Sequence, residues 1–263
     1  MKLIVHGASG RMGREVIGAA AATPDVTIAA AVVRAGSASV GVDAGVLAGV
    51  GSLGVSVSSD LDSALAAGDV AVDFSIPVAA VEFARRAAAA GTPAIVATTG
   101  LSAEQLATVR EGSNRAPVLI APNLSLGINV LAQVLPTIVN ALGAEYDVEL
   151  VEAHHRLKKD APSGTAVLLL SAIASALNRP VSQVERYGRH GLAPREAGEI
   201  GVHSIRAGGI AGEHSVLLVS DGEQIEVSHR AFSRRTFALG ALRAARFLAE
   251  QPPGLYSMQD VLR

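Results

Sequence analysis

The chain has 263 residues, of which 49% are hydrophobic and 17% charged, so it can bury a large core and does not belong to the intrinsically disordered class. Lysine and arginine number 22 against 24 acidic residues, which gives a net charge of −2, and only 3% of the residues are aromatic, so neither charge nor composition favours a nucleic-acid partner. The absence of cysteine excludes disulfides, iron–sulfur clusters and cysteine nucleophiles.

The sequence is expected to belong to a cytoplasmic protein that does not enter a membrane. The chain opens with a short apolar strand followed by glycines, which is not the pattern of a signal peptide. Its longest uncharged run, residues 116–144, is interrupted by three prolines and four amide side chains, so it is not a continuous apolar span.

The first 125 residues alternate short β-branched runs with alanine-rich helical stretches. The predicted strands cover residues 3–6, 26–33, 55–58, 70–74, 94–98 and 118–121. The predicted helices cover residues 11–22, 61–67, 78–90 and 103–111, the last beginning with a capping box of Ser102 and Gln105. Strands that alternate with helices predict an α/β fold with a doubly wound, Rossmann-type parallel sheet. Residues 35–54 show no clear period and are expected to form a loop.

A glycine-rich turn directly follows the first predicted strand and opens the first predicted helix. Gly10 would let the backbone approach a pyrophosphate at the helix N-terminus, while Gly7 permits the tight turn and Gly13 allows helix and strand to pack closely. This G-x-x-G-x-x-G variant of the dinucleotide fingerprint predicts nucleotide binding; a tight turn without a ligand is the alternative. The predicted cofactor-binding residues of the turn are Gly7, Ala8, Ser9, Gly10, Arg11 and Met12.

The ends of three further strands supply the rest of the predicted cofactor site. After the second strand the chain reads Val33-Arg34, without the acid that holds the ribose 2′-hydroxyl of NADH in such sites. Arg34 could pair with the 2′-phosphate of NADPH, or be an ordinary solvated loop arginine. Because open α/β sheets bind ligands at the carboxyl ends of their strands, two more segments are expected near the nicotinamide, with ordinary strand exits as the alternative. These are Ala97, Thr98 and Thr99, and Ala121, Pro122, Asn123 and Leu124.

The pattern changes after residue 125. A helix is predicted over residues 127–142, where Pro136 is expected to introduce a kink, followed by a strand over 146–154 and a helix over 165–177. Three more strands are predicted over residues 202–206, 215–220 and 224–229, and Asp221-Gly222 between the last two is a hairpin signal. Residues 126–234 are therefore expected to form an α+β domain with a mixed sheet. A final helix is predicted over residues 236–250.

The segment from residue 152 to 166 joins a predicted strand to a predicted helix and holds two of the three lysines in a chain rich in arginine. Lys158 supplies a mobile cationic donor. Ser163, Gly164 and Thr165 open the helix, where free N–H groups and hydroxyls can hold a carboxylate. The segment thus predicts proton donors beside an anion site, with a basic surface loop before a capped helix as the alternative.

Two adjacent histidines, His154 and His155, stand at the end of the strand that enters this segment. Adjacent residues of a strand point to opposite faces, so the two side chains are expected to have different roles. Adjacent histidines rarely hold one metal ion and no third ligand is evident, so no metal site is predicted.

Residues 152–166 match the E-x-H-H-x-x-K-x-D-A-P-S-G-T-A signature of the 4-hydroxy-tetrahydrodipicolinate reductase family, also called dihydrodipicolinate reductase, at every specified position. The chain resembles this family of bacterial and plant lysine biosynthesis over nearly its whole length. The glycine turn matches too, as do five shorter segments: Asp73-Phe74-Ser75, Thr98-Thr99-Gly100, Pro122-Asn123 with Ser125, Gly212-Glu213-His214 and Ser228-His229-Arg230.

The resemblance implies an enzyme that uses NADPH or NADH to reduce 4-hydroxy-tetrahydrodipicolinate to tetrahydrodipicolinate, with loss of water, in diaminopimelate and lysine biosynthesis. It implies that His154 and Lys158 are catalytic proton donors, and that His155 and the turn from Ser163 through Gly164 to Thr165 contact the dicarboxylate substrate. The residues agree with these roles, because a hydride that arrives at a conjugated imine builds negative charge that a nearby acid must neutralise.

The resemblance also implies how the chain is divided. Residues 1–125, completed by 235–263, would form the dinucleotide-binding domain. Residues 126–234 would bind substrate and assemble a homotetramer. Two positions depart from the family: Ala97 stands where glycine is common, and Val33 stands where an acid is frequent. The second departure predicts that both nicotinamides are accepted, with a preference for NADPH.

Two other functions are considered beside this one. One is a different nicotinamide-dependent dehydrogenase with a catalytic lysine, and it leaves the turn at Ser163 without a second carboxylate to hold. The other is a non-catalytic, nucleotide-sensing regulator, which would be expected to have lost its proton donors, yet His154 and Lys158 are both present.

Overall fold

The structure, a computed structural model that describes all residues from Met1 to Arg263, divides into two units. The first unit consists of Met1–Leu126 and Arg234–Arg263, and the second unit is Gly127–Ser233. The predicted boundaries lie one residue away from the observed ones, at 125/126 rather than 126/127 and at 234/235 rather than 233/234.

Twelve strands and ten α-helices, numbered in chain order, make up the two units. The strands are β1 (Lys2–His6), β2 (Thr27–Val32), β3 (Val57–Ser58), β4 (Val70–Asp73), β5 (Ala94–Val96), β6 (Pro117–Ile120), β7 (Asp147–His154), β8 (Glu185–Tyr187), β9 (Ile200–Arg206), β10 (Glu213–Val219), β11 (Gln224–Arg230) and β12 (Gly254–Tyr256). The helices are α1 (Arg11–Ala21), α2 (Ala44–Ala48), α3 (Leu61–Leu65), α4 (Pro77–Ala90), α5 (Ala103–Glu111), α6 (Leu126–Leu142), α7 (Gly164–Ala176), α8 (Val181–Val184), α9 (Arg235–Ala249) and α10 (Met258–Val261).

The first unit is built on a seven-stranded sheet with the order β12-β6-β5-β4-β1-β2-β3, in which every neighbouring pair is parallel. All residues of β4 and β5 are buried, as expected for parallel strands that helices cover on both faces. The strand order reverses between β1 and β4, which is the topological switch point of a doubly wound sheet. The predicted Rossmann-type α/β fold is confirmed.

Two helix starts in this unit follow from local chemistry. Pro77 occupies the first turn of α4, where its missing N–H group costs nothing. Ser102 and Gln105 form both hydrogen bonds of the predicted capping box at α5.

The prediction of a loop over residues 35–54 is wrong in part, because this stretch contains α2. The Asp43 carboxylate caps the helix, accepting hydrogen bonds from the N–H groups of Gly45 at 2.8 Å and Val46 at 3.1 Å. It also accepts from Leu53 and Gly54 on the far side of the loop. These bonds, that from Leu53 above all, hold the pKa of Asp43 well below its usual range. A five-residue helix is too short to show a period, so the capping aspartate is the signal that could have revealed it.

The second unit is built on a five-stranded mixed sheet with the order β11-β10-β7-β9-β8. Strand β10 is antiparallel to both its neighbours, whereas β7 and β8 run parallel to β9. The predicted hairpin is confirmed: Val219 pairs with Gln224, and the N–H of Ser220 donates to the carbonyl of Glu223 at 3.0 Å around Asp221-Gly222. A hydrophobic core that includes Leu135, Leu150 and Leu169 joins one face of this sheet to α6 and α7.

Helix α6 runs through Pro136 without ending there. Together with the turn that follows, it forms a 20-residue segment, Leu126–Glu145, with a mean hydropathy of 1.5, so by length and composition alone it could cross a membrane. A core helix of a soluble protein passes the same test, and Ala132, Leu135 and Val139 of α6 pack into the core of the second unit.

Four short elements escaped the sequence analysis: α8, β8, β12 and α10. Each has only three or four residues, too few for a hydrophobic period to stand out. Strand β12 extends the first sheet beside β6, and a capping box of Ser257 and Asp260 starts α10.

Candidate active site

The glycine turn of the first unit is so tight that two of its positions exclude a side chain. Gly7 has φ of +77°, and a Cβ atom there would lie 2.6 Å from the carbonyl oxygen of Phe74. A Cβ atom on Gly13 would lie 2.4 Å from the carbonyl oxygen of Gly7. Gly10 is the N-cap of α1, and no side chain caps that helix. A helix start without a side-chain cap, reached through glycine backbone, suits a pyrophosphate group.

The other predicted cofactor segments lie at the carboxyl edge of the same sheet. Arg34 follows β2, residues 97–99 follow β5 directly, and residues 121–124 follow β6 directly. Because these strands are parallel to β1, their ends meet at the edge that also carries the glycine turn. The first unit therefore gathers all the predicted cofactor-binding residues at one edge.

Three of those residues have side chains buried in the hydrophobic core of the first unit. Ala8 is fully buried, and Ala121 and Leu124 are each 2% exposed. These residues can offer a ligand only backbone atoms. Arg11, Thr99 and Pro122, by contrast, are exposed at the edge.

The two residues at the end of β2 differ sharply in burial. Val33 is 4% exposed and packs in the core of the first unit, whereas Arg34 is exposed. The Val33 side chain belongs to the core and has no polar group that could bind a ribose. The charged side chain that follows β2 is that of the exposed Arg34.

A buried aspartate that the sequence analysis left without a role ties three strand ends together at the switch point. Asp73, at the end of β4, is fully buried. Its carboxylate accepts from the Thr98 hydroxyl at 2.5 Å and from the N–H of Ser75 at 3.2 Å, and it lies 2.7 Å from Nδ1 of His6. The hydroxyl of Thr98 therefore bonds within the fold, so at position 98 the backbone is what could face a cofactor.

In the second unit, His154 is the last residue of β7, and its partner Glu152 also bonds to Ser163 at the start of α7. Along β7 the side chains of Leu150, Glu152 and His154 alternate onto the helix-covered face, so His154 is only 8% exposed. The strand persists through His154, which pairs in register with Arg206 of β9. His155 lies just beyond the strand and is half-buried, with its N–H bound to the carbonyl of Ile210 at 2.8 Å.

The start of α7 has the form of an anion site. Ser163 is the N-cap and is 1% exposed, and its hydroxyl accepts from the N–H of Ala166 at 3.1 Å. The same hydroxyl lies 3.0 Å from Nε2 of His214. A Cβ atom built on Gly164 would meet nothing within 4 Å, so the space over this residue is open. A carboxylate could approach the N–H groups of Gly164 and Thr165, with Ser163 holding the turn from behind.

The two lysines of the segment are placed differently. Nζ of Lys158 donates to both carboxylate oxygens of Asp160, at 2.9 and 2.8 Å, and its side chain is 21% exposed. Lys159 is exposed and makes no ion pair. Only Lys158 is held in a defined place, by an acid two residues along the loop.

Burial dominates the electrostatics around His154. It lowers the pKa of His154, although hydrogen bonding to Glu152 acts in the opposite direction. Burial also lowers the pKa of His214 to about 3, with the nearby His154 adding to the effect. The rings of His154 and His214 meet edge to face, with centroids 5.2 Å apart. Burial therefore favours the neutral form of both imidazoles near the start of α7.

Several residues with structural roles in these sites were not assigned from the sequence: His6, Asp73, Glu152, Asp160, Arg206 and His214. Asp73 and Glu152 did carry a signal, since an acid inside a buried strand must find a partner. Their partners could not be identified in advance, because His6 and Arg206 lie 67 and 54 residues away along the chain.

Comparison with protein families gives a match for each part of the chain. Residues 1–124 match the family model described as dihydrodipicolinate reductase, N-terminus, and residues 127–262 match that described as dihydrodipicolinate reductase, C-terminus.

Two relatives are similar over nearly their full length. A 4-hydroxy-tetrahydrodipicolinate reductase of Rubrobacter xylanophilus is 52% identical over 262 residues, covering 100% of this chain and 98% of the relative. The enzyme of the same name from Anaeromyxobacter dehalogenans is 45% identical over 262 residues, covering 99% and 97%.

Among solved structures, a dipicolinate-bound dihydrodipicolinate reductase from a Paenisporosarcina species has a TM-score of 0.75 at 22% identity, covering 100% of this chain and 99% of the other. An amine dehydrogenase from Mycobacterium smegmatis has a TM-score of 0.61 at 18% identity, covering 100% and 95%. At these identities the likeness concerns the fold, which dehydrogenases of different substrates share.

Proposed function

The chain belongs to the dihydrodipicolinate reductase family, and we infer that it is an oxidoreductase that reduces 4-hydroxy-tetrahydrodipicolinate to tetrahydrodipicolinate in diaminopimelate and lysine biosynthesis. The observation that carries this inference is the arrangement at the start of α7. There a buried histidine, a lysine fixed by an acid, and an open glycine at a helix N-terminus occur on one strand-to-helix connection.

The first unit fits a nicotinamide dinucleotide. Gly7 lets the chain turn tightly against the backbone of Phe74, and α1 begins at Gly10 without a side-chain cap, so its first N–H groups can face a pyrophosphate. Residues 7–12 would hold the pyrophosphate, Arg34 would face the ribose, and residues 97–99 and 121–124 would surround the nicotinamide. When bound, the reduced nicotinamide supplies the hydride of the reaction.

In the second unit the residues would bind and protonate the substrate. One carboxylate would accept hydrogen bonds from the N–H groups of Gly164 and Thr165, with His155 as a further contact. His154 would deliver a proton to the charge that develops on the ring, and Lys158 would act as a second donor. The lowered pKa of His154 suits this role, because a dianionic substrate beside the ring would raise it again.

The proposed reaction is tested by following NADPH absorbance with purified enzyme and freshly generated 4-hydroxy-tetrahydrodipicolinate. A panel of sugars and amino acids serves as the comparison. Oxidation of NADPH with the dicarboxylate alone supports the proposal. Turnover of a sugar or an amino acid in its place would favour a different nicotinamide-dependent dehydrogenase, and nucleotide binding without any turnover would favour a regulator.

We propose that the enzyme accepts both nicotinamides and prefers NADPH. Val33 has no polar group for a ribose hydroxyl, and Arg34 is exposed beside it. A charged hydrogen bond to the 2′-phosphate is worth about 1.5 kcal/mol at an exposed site, or about tenfold in affinity.

Replacing Arg34 with alanine is therefore expected to raise the KM for NADPH by about tenfold, because the 2′-phosphate loses its partner, and to leave the KM for NADH nearly unchanged. Arg110→Ala, at the end of α5, is the matched control, since it removes an exposed arginine from the same unit. Steady-state kinetics with both nucleotides measure the effect. Equal losses for NADPH and NADH, or a wild-type preference for NADH above about tenfold, would contradict the assignment.

We further propose a cytoplasmic homotetramer assembled through the second unit. The face of its sheet opposite α6 and α7 carries three apolar side chains, the half-buried Val151 and Leu217 and the 48% exposed Ile205, among the polar Glu149, His203 and Ser215. Sedimentation at a mass of four chains supports this assembly, and a monomer at assay concentrations would contradict it.

A further inference from the structure

The carboxylate of Glu152 is the most heavily engaged buried acid of the second unit. The residue is fully buried in β7. Its Oε2 atom lies 2.6 Å from Nδ1 of His154 and accepts from Nη1 of Arg206 at 2.8 Å. Its Oε1 atom accepts from Nη2 of Arg206 at 2.7 Å and from the N–H of Ser163 at 3.1 Å. One side chain thus connects the proposed acid to the residue that caps α7.

These partners determine the state of the carboxyl group. Burial alone would raise the pKa of Glu152, but the hydrogen bonds from Arg206 and His154 outweigh burial and set it at about 2. An ionised carboxylate has no proton to give, so the contact with His154 requires that Nδ1 of the imidazole carry the hydrogen. The other ring nitrogen, Nε2, is then the atom at which His154 gains or loses a proton.

The surroundings of Nε2 agree with proton transfer at this nitrogen rather than at Nδ1. A Cβ atom built on Gly212 would lie 3.1 Å from Nε2 of His154, so any larger residue at position 212 would crowd that nitrogen. The absence of a side chain at this position leaves the approach to Nε2 free on that side.

We propose that Glu152 is a positioning residue that fixes the Nδ1–H tautomer and the orientation of His154, and that the same carboxylate holds the anion turn at Ser163. The proposal rests on the proposed function, in which His154 transfers a proton at Nε2. In this proposal Arg206 stabilises the ionised form of the buried Glu152.

A neutral amide cannot replace the carboxylate in both tasks. Glutamine has one acceptor oxygen and one NH2 group, whereas all the partners of Glu152 named above present N–H donors. If the amide oxygen faces His154, the NH2 group faces the N–H of Ser163 and the guanidinium of Arg206, which are also donors, so these contacts are lost. If the amide is reversed, its NH2 group favours a His154 ring with the hydrogen on Nε2.

Loss of the negative charge also changes the titration of His154. The charged and titratable groups facing this ring are Glu152 on its own strand, Arg206 on β9, His214 on β10 and, in the loop that follows, Lys158, which is itself paired with Asp160. Of these, Glu152 raises the pKa of His154, whereas Lys158 and Arg206 lower it. Without the carboxylate the pKa falls further, so the loss of activity with rising pH should begin at lower pH.

The test compares Glu152→Gln with Glu149→Gln in the full-length enzyme. Glu149 is the matched control, because it lies on the same strand, contacts Nε2 of His203 at 2.7 Å and bonds to Arg195, but faces the opposite side of the sheet. Imidazole 15N spectra of histidine-labelled protein report the tautomer, with His154 assigned from the spectrum of His154→Gln. The kcat, the KM and the pH profile are measured for each variant at the same state of assembly.

Wild-type enzyme is expected to show His154 as the Nδ1–H tautomer, and Glu152→Gln to lose that signature. In Glu152→Gln, kcat should fall by about tenfold to a hundredfold, the range for carboxylates that orient metal-binding histidines, with a smaller change in KM and a pH profile moved to lower pH. In Glu149→Gln, the His154 signals and kcat should remain as in the wild type, and Glu152→Asp, which keeps the charge, should recover part of the lost rate.

An Nε2–H tautomer in the wild-type protein overturns the proposal even if Glu152→Gln fails to fold. A Glu152→Gln variant that loses the tautomer yet keeps full kcat overturns it as well. If His154→Gln itself turns over normally, the proposed role of His154 as the acid fails, and the wild-type spectrum still decides whether Glu152 fixes the ring.

Discussion

Replacing His154 with glutamine is expected to lower kcat by about a hundredfold to ten-thousandfold, the usual contribution of a positioned general acid. Glutamine can donate a hydrogen bond from its amide but cannot transfer a proton. The two groups in contact with the ring are a neutral second imidazole, His214, and the ionised carboxylate of Glu152, and neither is an acid that could take over at neutral pH. The KM for the dicarboxylate should change much less than kcat.

His155→Gln provides the comparison for this experiment. His155 follows the end of β7 and is half-buried, while His154 is buried on the helix-covered face. A residue that holds a carboxylate equally in the ground and transition states acts through substrate affinity, so His155→Gln should raise KM most and leave kcat closer to normal. Full kinetics at saturating NADPH separate the two. The reverse pattern would mean that the acid and the carboxylate contact have been assigned the wrong way round.

Lys158→Ala is expected to lower turnover by about a hundredfold or more, because it removes a proton donor whose ammonium group is already held in place. The two hydrogen bonds to Asp160 fix the end of this side chain within the loop that precedes α7. All residues proposed to hold the cofactor lie in the other unit, so the Kd for NADPH, measured by fluorescence titration, should remain close to the wild-type value.

Lys159→Ala is the matched control, since it removes the same charge one residue further along the loop from an exposed side chain. Its effect on kcat should be less than about threefold, as is usual for an exposed charge. Equal losses at the two positions would indicate a general basic patch. A Lys158→Ala enzyme that binds NADPH tenfold more weakly but turns over normally would contradict the proposed role.

The architecture was predictable where local chemistry and sheet topology agree. Uninterrupted apolar runs such as β4 and β5 are typical of parallel strands, and the glycine turn after β1 needs small residues at Gly7 and Gly13 for reasons visible in the sequence. The alternation along β7 likewise predicted that His154 and His155 have different surroundings.

Long-range pairing was not predictable in the same way. Asp73 finds Thr98 and His6 only because β1, β4 and β5 are neighbours in the sheet. Glu152 meets Arg206 because β7 and β9 pair in parallel across 54 residues of chain. A sequence reveals that a buried acid needs partners, but which residues serve as partners depends on strand order and register.

Transfer of deuterium from labelled NADPH tests the central claim most directly. The enzyme is supplied with 4-hydroxy-tetrahydrodipicolinate and, in separate reactions, with each of the two stereospecifically 4-deuterated forms of NADPH, and the product is analysed by mass spectrometry. We expect tetrahydrodipicolinate to carry one deuterium with one of the two forms and none with the other, and we expect His154→Gln to slow this transfer without changing which form is used. Oxidation of NADPH that leaves the product unlabelled with both forms would contradict the assignment of this chain as a reductase of that substrate.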